Sequence, residues 1–156
     1  MIREAPYSNR YFKMYAMLLF VAPEQEPVQS TAPLFTERCP AGFPSPVADY
    51  TEEELDLNVW CIRRPAATFF VWAIGDSMKE MGLHSSDLMV VDKAEKPLQD
   101  DIVIAETDGE FTVKRLQLTP RIALLTMNPD YPTLYPEDLQ IFGVMTAFIH
   151  KTRGMG

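Results

Sequence analysis

Phe69-Phe70-Val71-Trp72-Ala73-Ile74-Gly75-Asp76-Ser77-Met78 decides how the rest of the chain is read. The run 69–74 is mostly β-branched or aromatic and predicts a buried strand, which Gly75-Asp76 then breaks. A serine follows the break. Strand ends commonly expose nucleophiles, because the turn lifts the hydroxyl clear of the sheet while the strand fixes its position. Ser77 is therefore a candidate nucleophile, and at neutral pH a serine needs a base. Neither histidine has local support for that role: His84 falls in a polar turn and His150 near the C-terminal end. Lys114 is the better candidate. It lies in a second strong strand pattern, Phe111-Thr112-Val113-Lys114-Arg115-Leu116-Gln117-Leu118.

Alternate side chains of a strand share a face, so Lys114 sides with Leu116 and Leu118, while Arg115 and Gln117 take the other side. A lysine on an apolar face loses its water, and desolvation favours the neutral, basic form. The same position also suits a lysine whose stem lies on the leucines while its ammonium reaches solvent. Residue type alone leaves both readings open.

Four motifs occur in order: Gly75-Asp76-Ser77-Met78, Asp87-Leu88-Met89-Val90-Val91-Asp92, Asp101-Ile102-Val103-Ile104-Ala105 and Asp108-Gly109-Glu110-Phe111-Thr112-Val113-Lys114-Arg115-Leu116. Together they resemble the UmuD family, self-cleaving relatives of the C-terminal domain of the LexA repressor. The resemblance runs from about Ala41 to the last strand and includes Ala41-Gly42-Phe43-Pro44-Ser45-Pro46, which is similar to the family's cleavage site. It implies a mainly β, LexA C-terminal-like domain with a mobile N-terminal arm. It also implies a Ser-Lys dyad, with Ser77 as nucleophile and Lys114 as general base, that cuts between Ala41 and Gly42. Backbone N–H groups of Asp76 and Ser77 would stabilise the oxyanion, and neither cofactor nor metal is called for. The family forms homodimers whose self-cleavage is stimulated by RecA filaments on single-stranded DNA. The shortened form joins UmuC, an error-prone Y-family translesion polymerase of the cytoplasmic SOS response to DNA damage. Departures from the family pattern are Ser86 and Asp100, where relatives usually carry glycine, and Ile74, where a small polar residue commonly precedes Gly75.

Length and composition agree with one domain. The 156 residues leave room for a single core, and 47% hydrophobic with 23% charged residues is the balance of an ordinary globular protein. Cys39 and Cys61 fit no metal or redox spacing and read as reduced thiols.

Residues 1–41 differ in kind from 42–156. Seven of the 13 prolines precede Val47, which argues against a packed core there. Arg3, Arg10, Lys13 and Arg38 balance Glu4, Glu24, Glu26 and Glu37, so the net charge of -8 sits on the remainder. An acidic body repels phosphates, which excludes direct nucleic-acid binding; a role in DNA metabolism must pass through protein partners. The apolar run 14–22 follows Arg10 and Lys13 but ends at Pro23 and is too short to span a bilayer, so no membrane association is expected. It reads as a segment packed on the body or a partner, or as an extension with Met14 or Met17 as alternative starts.

Thr51-Glu52-Glu53-Glu54 reads as a capping box opening a short helix or turn, and Pro65 closes the segment 58–64. Strands are predicted at 68–74, 88–92, 102–106, 111–118, 122–126 and 139–149. Asp108-Gly109 is a hairpin signal, and Gly143 inside the last strand marks a bulge or a close backbone approach. A membrane signal peptidase would need a spanning segment, and a LexA-type repressor would need a DNA-binding domain. The alternative that stays open is a non-cleaving dimeric binding module of the same fold that regulates a polymerase or another partner.

Overall fold

The computed structural model describes residues 2–4, 30–35 and 52–154. The Ala41-Gly42 bond, the apolar run 14–22, Cys39 and Thr51 lie outside the described residues. Branched and aromatic runs become strands: β4 (Thr68–Trp72), β5 (Leu88–Asp92), β6 (Ile102–Thr107), β7 (Glu110–Gln117), β8 (Ala123–Leu125) and β9 (Leu139–Ile149). They form one sheet in the order β4-β5-β9-β6-β7-β8, and all of these pairings are antiparallel. A short β1 (Ile2–Glu4) runs parallel to the first residues of β9, beyond the end of β5. β2 (Thr31–Phe35) pairs with β3 (Glu52–Asp56) in a separate two-stranded sheet. Both β1 and β2 fall within the 1–41 stretch, which therefore contributes strands despite its prolines.

The helix expected after Thr51 begins later. Glu52, Glu53 and Glu54 lie in β3, paired with β2, and that long-range ladder overrides the local capping signal. Helix α1 (Leu57–Cys61) is capped instead by Asp56, whose side chain accepts from the Asn58 N–H at 2.8 Å.

Period-two alternation sorts the sheet's side chains onto two faces. Phe69, Ala73, Met78, Leu83, Met89, Val91 and Ile104 make one buried cluster. Val103, Ala105, Leu116, Leu124, Leu139, Ile141 and Val144 make the other. Ile141 and Val144 share a face although they are three apart, which strict alternation forbids. The ladder resolves this: Ile104 pairs with Gly143 and Ala105 with Ile141, so Phe142 is an extra residue in β9. Gly143 is the residue that lets β5 come close there. A Cβ added to it would sit 2.7 Å from Val91 Cγ1 and 3.2 Å from the Asp92 carbonyl oxygen.

The β6–β7 hairpin turns through Asp108 (φ 52°) and Gly109 (φ 79°), both left-handed, as a two-residue primed turn requires. Ser86 (φ 74°) and Asp100 (φ 68°) also adopt left-handed backbone, so these turns keep a glycine-like conformation with other side chains. β4 departs from expectation. It is an edge strand whose burial is lost along its length, from buried Thr68 and Phe69 to Trp72 at 54% exposed, with Ile74 just beyond it 90% exposed.

Candidate active site

Ser77 is carried by the turn that leaves β4. Ala73 is tied to the next turn by a pair of backbone bonds, its N–H donating to the Asp87 carbonyl (2.9 Å) and its carbonyl accepting from the Ser86 N–H (2.8 Å). Gly75 then takes φ 88°, a conformation that side-chain-bearing residues resist, and the chain reverses. Beyond the serine, buried Met78 anchors a short 3-10 turn, Lys79–Met81. Strand end, glycine and buried methionine together fix where the Ser77 hydroxyl sits.

Lys114 arrives from the middle of β7. Its neighbours in the strand alternate as the period demands: Lys114 is 6% exposed and Leu116 fully buried, while Arg115 on the other face lies 3.9 Å from Asp100 Oδ1. Lys114 Nζ is 3.0 Å from Ser77 Oγ, 2.7 Å from Thr112 Oγ1 and 3.0 Å from the Val113 carbonyl oxygen. Burial holds the amine below the usual lysine range. A neutral amine has two N–H donors and one lone pair. As placed, Nζ donates to all three oxygens; in the neutral form two donors would remain for Thr112 Oγ1 and the Val113 carbonyl, leaving a lone pair for the Ser77 hydroxyl.

Ser77 also lines a cleft of about 890 Å³ between the end of β4 and the β6–β7 hairpin. Val71, Ile74, Met78, Phe111 and Val113 supply apolar walls, and Asp108 and Glu110 lie at the hairpin.

A loop between β8 and β9 holds the Asp76-Ser77 turn through its carbonyls. The Met127 N–H donates to the Ser77 carbonyl at 2.9 Å, and Asn128 Nδ2 donates to the Asp76 carbonyl at 3.0 Å. Tyr131 Oη donates to Asp76 Oδ1 at 2.6 Å, and that carboxylate raises the phenol's pKa. The histidines gather elsewhere, around buried Asp87. The His84 N–H donates to Asp87 Oδ2 at 2.8 Å, His150 Nδ1 lies 2.6 Å from Asp87 Oδ1, and the rings are 5.6 Å apart. Burial alone would raise the Asp87 carboxyl, but these two partners outweigh it and hold it below its ordinary value.

The structure thus brings Ser77 and Lys114 together from positions 37 apart in the chain and sets both histidines at another centre. Sequence reasoning passed over Thr112, although it shares a face with Lys114 two residues on. It also passed over Asn128 and Tyr131, to which no local pattern points.

Comparison with known proteins follows the same line. A profile of the Peptidase S24-like family matches residues 33–146. Protein SamA of Salmonella typhimurium is 90% identical over 137 residues, covering 88% of this chain and 98% of that protein. Protein ImpA of Escherichia coli is 63% identical over 123 residues, covering 78% of this chain and 85% of its own length. Protein MucA of Escherichia coli is 42% identical over 118 residues, covering 73% and 81%.

Proposed function

The chain belongs to the Peptidase S24-like family, and from that premise we propose that it is a self-cleaving serine endopeptidase acting through a Ser77–Lys114 dyad. The observation that carries the reading is the 3.0 Å separation of Lys114 Nζ from Ser77 Oγ, with the amine buried and its pKa depressed. In the proposed reaction, neutral Lys114 takes the Ser77 proton as Oγ bonds to the Ala41 carbonyl carbon. Backbone N–H groups of Asp76 and Ser77 stabilise the oxyanion, an effect worth roughly 3–4 kcal/mol per donor. The intermediate collapses, the Ala41–Gly42 bond breaks, and the Lys114 ammonium gives its proton to the departing Gly42 amine. Water, deprotonated in turn by Lys114, then hydrolyses the ester at Ala41 and restores Ser77. The product is a body of residues 42–156 freed from an arm of residues 1–41.

The substrate is the chain's own arm or that of a dimer mate. Its effective concentration is therefore high, and weak docking in the cleft suffices. The UmuD-like motifs extend the proposal to the SOS response. A RecA filament on single-stranded DNA favours the docked arm, and the shortened homodimer serves a UmuC-type translesion polymerase in the cytoplasm. An acidic body that meets DNA only through proteins fits that role. Among the described residues no helix is long and apolar enough to cross a membrane.

Incubation with RecA, single-stranded DNA and nucleotide, followed by mass measurement, tests the whole proposal. A fragment beginning at Gly42 that appears faster with the filament than without it is expected. Cleavage indifferent to the filament would remove the SOS assignment, and an intact Ser77→Ala chain alongside would keep the peptidase assignment.

A further inference from the structure

Asn128 is a buried amide with both ends committed. It is 1% exposed; Oδ1 accepts from the Asp130 N–H at 3.0 Å, and Nδ2 donates to the Asp76 carbonyl at 3.0 Å. The first bond closes the loop's own turn and aims the amide, while Thr126 Oγ1 fixes the loop backbone by donating to the Asn128 carbonyl at 3.0 Å. The second bond reaches the peptide immediately before the nucleophile. The Asp76 carbonyl also accepts from the Lys79 N–H at 3.1 Å, so both its lone pairs are taken and the plane of the Asp76–Ser77 peptide is set.

In a trans peptide the N–H points opposite to the C=O. Ser77 lines the cleft and Asn128 does not, so holding the carbonyl on the loop side turns the Ser77 N–H towards the cleft. Among the described residues nothing accepts a hydrogen bond from that N–H. An oxyanion donor must be oriented before the reaction, because reorienting it during the reaction costs the stabilisation it would give.

We propose that Asn128 is a positioning residue that aligns the Asp76–Ser77 peptide so that the Ser77 N–H is ready for the oxyanion. This rests on the self-cleavage reading. Tyr131 assists by holding the Asp76 side chain on the same side.

The test is self-cleavage of the full chain over the alkaline pH range, with folding followed separately by thermal denaturation. Asn128→Asp keeps the acceptor for Asp130 and replaces the donor facing Asp76 with oxygen; Asn128→Ala removes both contacts. Each should lower the plateau rate about tenfold to a hundredfold, the range a small misplacement costs. The midpoint of the pH profile should stay at the wild-type value, since nothing touching Lys114 changes. A merely structural role predicts otherwise, because loosening would rehydrate Lys114 and move the midpoint upward. Plateau rates within about twofold of wild type, or losses explained by a shifted midpoint, would overturn the assignment. Tyr131→Phe removes one half-exposed hydroxyl and keeps the test open if the Asn128 variants do not fold. It should slow cleavage about two- to fivefold without moving the midpoint, and an unchanged rate counts against the clamp. A wild-type chain that stays intact, or a Ser77→Ala chain that cleaves, removes the self-cleavage reading and this assignment with it.

Discussion

Replacing Lys114 with methionine separates what the amine does for chemistry from what it costs the fold. Methionine keeps the length and much of the volume of the buried stem, so packing should survive. The variant loses the amine that lies 3.0 Å from Ser77 Oγ, the proton acceptor of the proposed reaction. Cleavage should fall about a hundredfold to ten-thousandfold, which is roughly 3–5 kcal/mol of barrier. Stability should move differently. The comparison is made in a Ser77→Ala background, so that no cleavage intrudes. Below its depressed folded pKa the lysine is charged in a site 6% exposed, and each unit of depression costs the fold about 1.4 kcal/mol. Methionine removes that cost and gives up the bonds to Thr112 Oγ1 and the Val113 carbonyl, about 1 kcal/mol each.

The sign with pH follows from which state holds the proton. Between the folded pKa and the ordinary lysine value, the unfolded chain is protonated and the folded chain is not. The lysine protein should therefore gain stability as pH rises, by up to about 1.4 kcal/mol per pH unit. The methionine protein should show no such gain. Urea denaturation of both proteins from pH 7 into the alkaline range reads this difference. Parallel curves would show that the amine is not depressed by burial, and a Lys114→Met chain that still cleaves at the wild-type rate would remove the lysine from the chemistry.

Thr112→Val is nearly isosteric and removes the 2.7 Å acceptor that turns the amine towards Ser77. It should slow cleavage about tenfold with a stability change within about 1 kcal/mol, measured by timed gels and urea melts. Gly143→Ala puts a Cβ 2.7 Å from Val91 Cγ1 and 3.2 Å from the Asp92 carbonyl oxygen; it should destabilise the fold by about 1–3 kcal/mol. An unmoved urea midpoint would mean the β5–β9 approach is softer than described. Asp87→Ala orphans the His84 N–H and releases His150, at about 2–3 kcal/mol near neutral pH. The folded Asp87 carboxyl lies below its ordinary value, so its contribution is present above that value and fades as pH falls through the folded one. The gap between wild type and variant should narrow in acid without closing, since a protonated carboxyl still accepts from the His84 N–H. A constant gap would contradict this.

Much of the sheet was legible because strand formation here follows local pattern. The runs beginning near Thr68, Leu88, Ile102, Phe111 and Leu139 all become strands, and Asp108-Gly109 forms the turn its residue types demand. Gly143 marked the bulge in β9 because a missing side chain inside a strand has few other uses. Failures came where pairing partners lie far away. Glu52–Asp56 reads locally as a helix start, and only the partner strand at Thr31–Phe35 makes it β. The run before Gly75 reads as buried, but nothing in it says that β4 ends the sheet and leaves Trp72 and Ile74 exposed. The site divides the same way. Strand alternation put Lys114 on an apolar face, and the strand-to-turn break drew attention to Ser77. Asn128 and Tyr131 meet the nucleophile turn across separations of 52 and 55 residues, and no local periodicity encodes such a contact.

The most direct measurement is the intact mass of the purified chain after incubation alone at alkaline pH, beside Ser77→Ala. The dyad account predicts two fragments from the wild type, residues 1–41 and 42–156, forming faster as pH rises, and an unchanged mass for the variant. A wild-type chain that stays whole, a cut at another bond, or equal cleavage of the Ser77→Ala chain would contradict it.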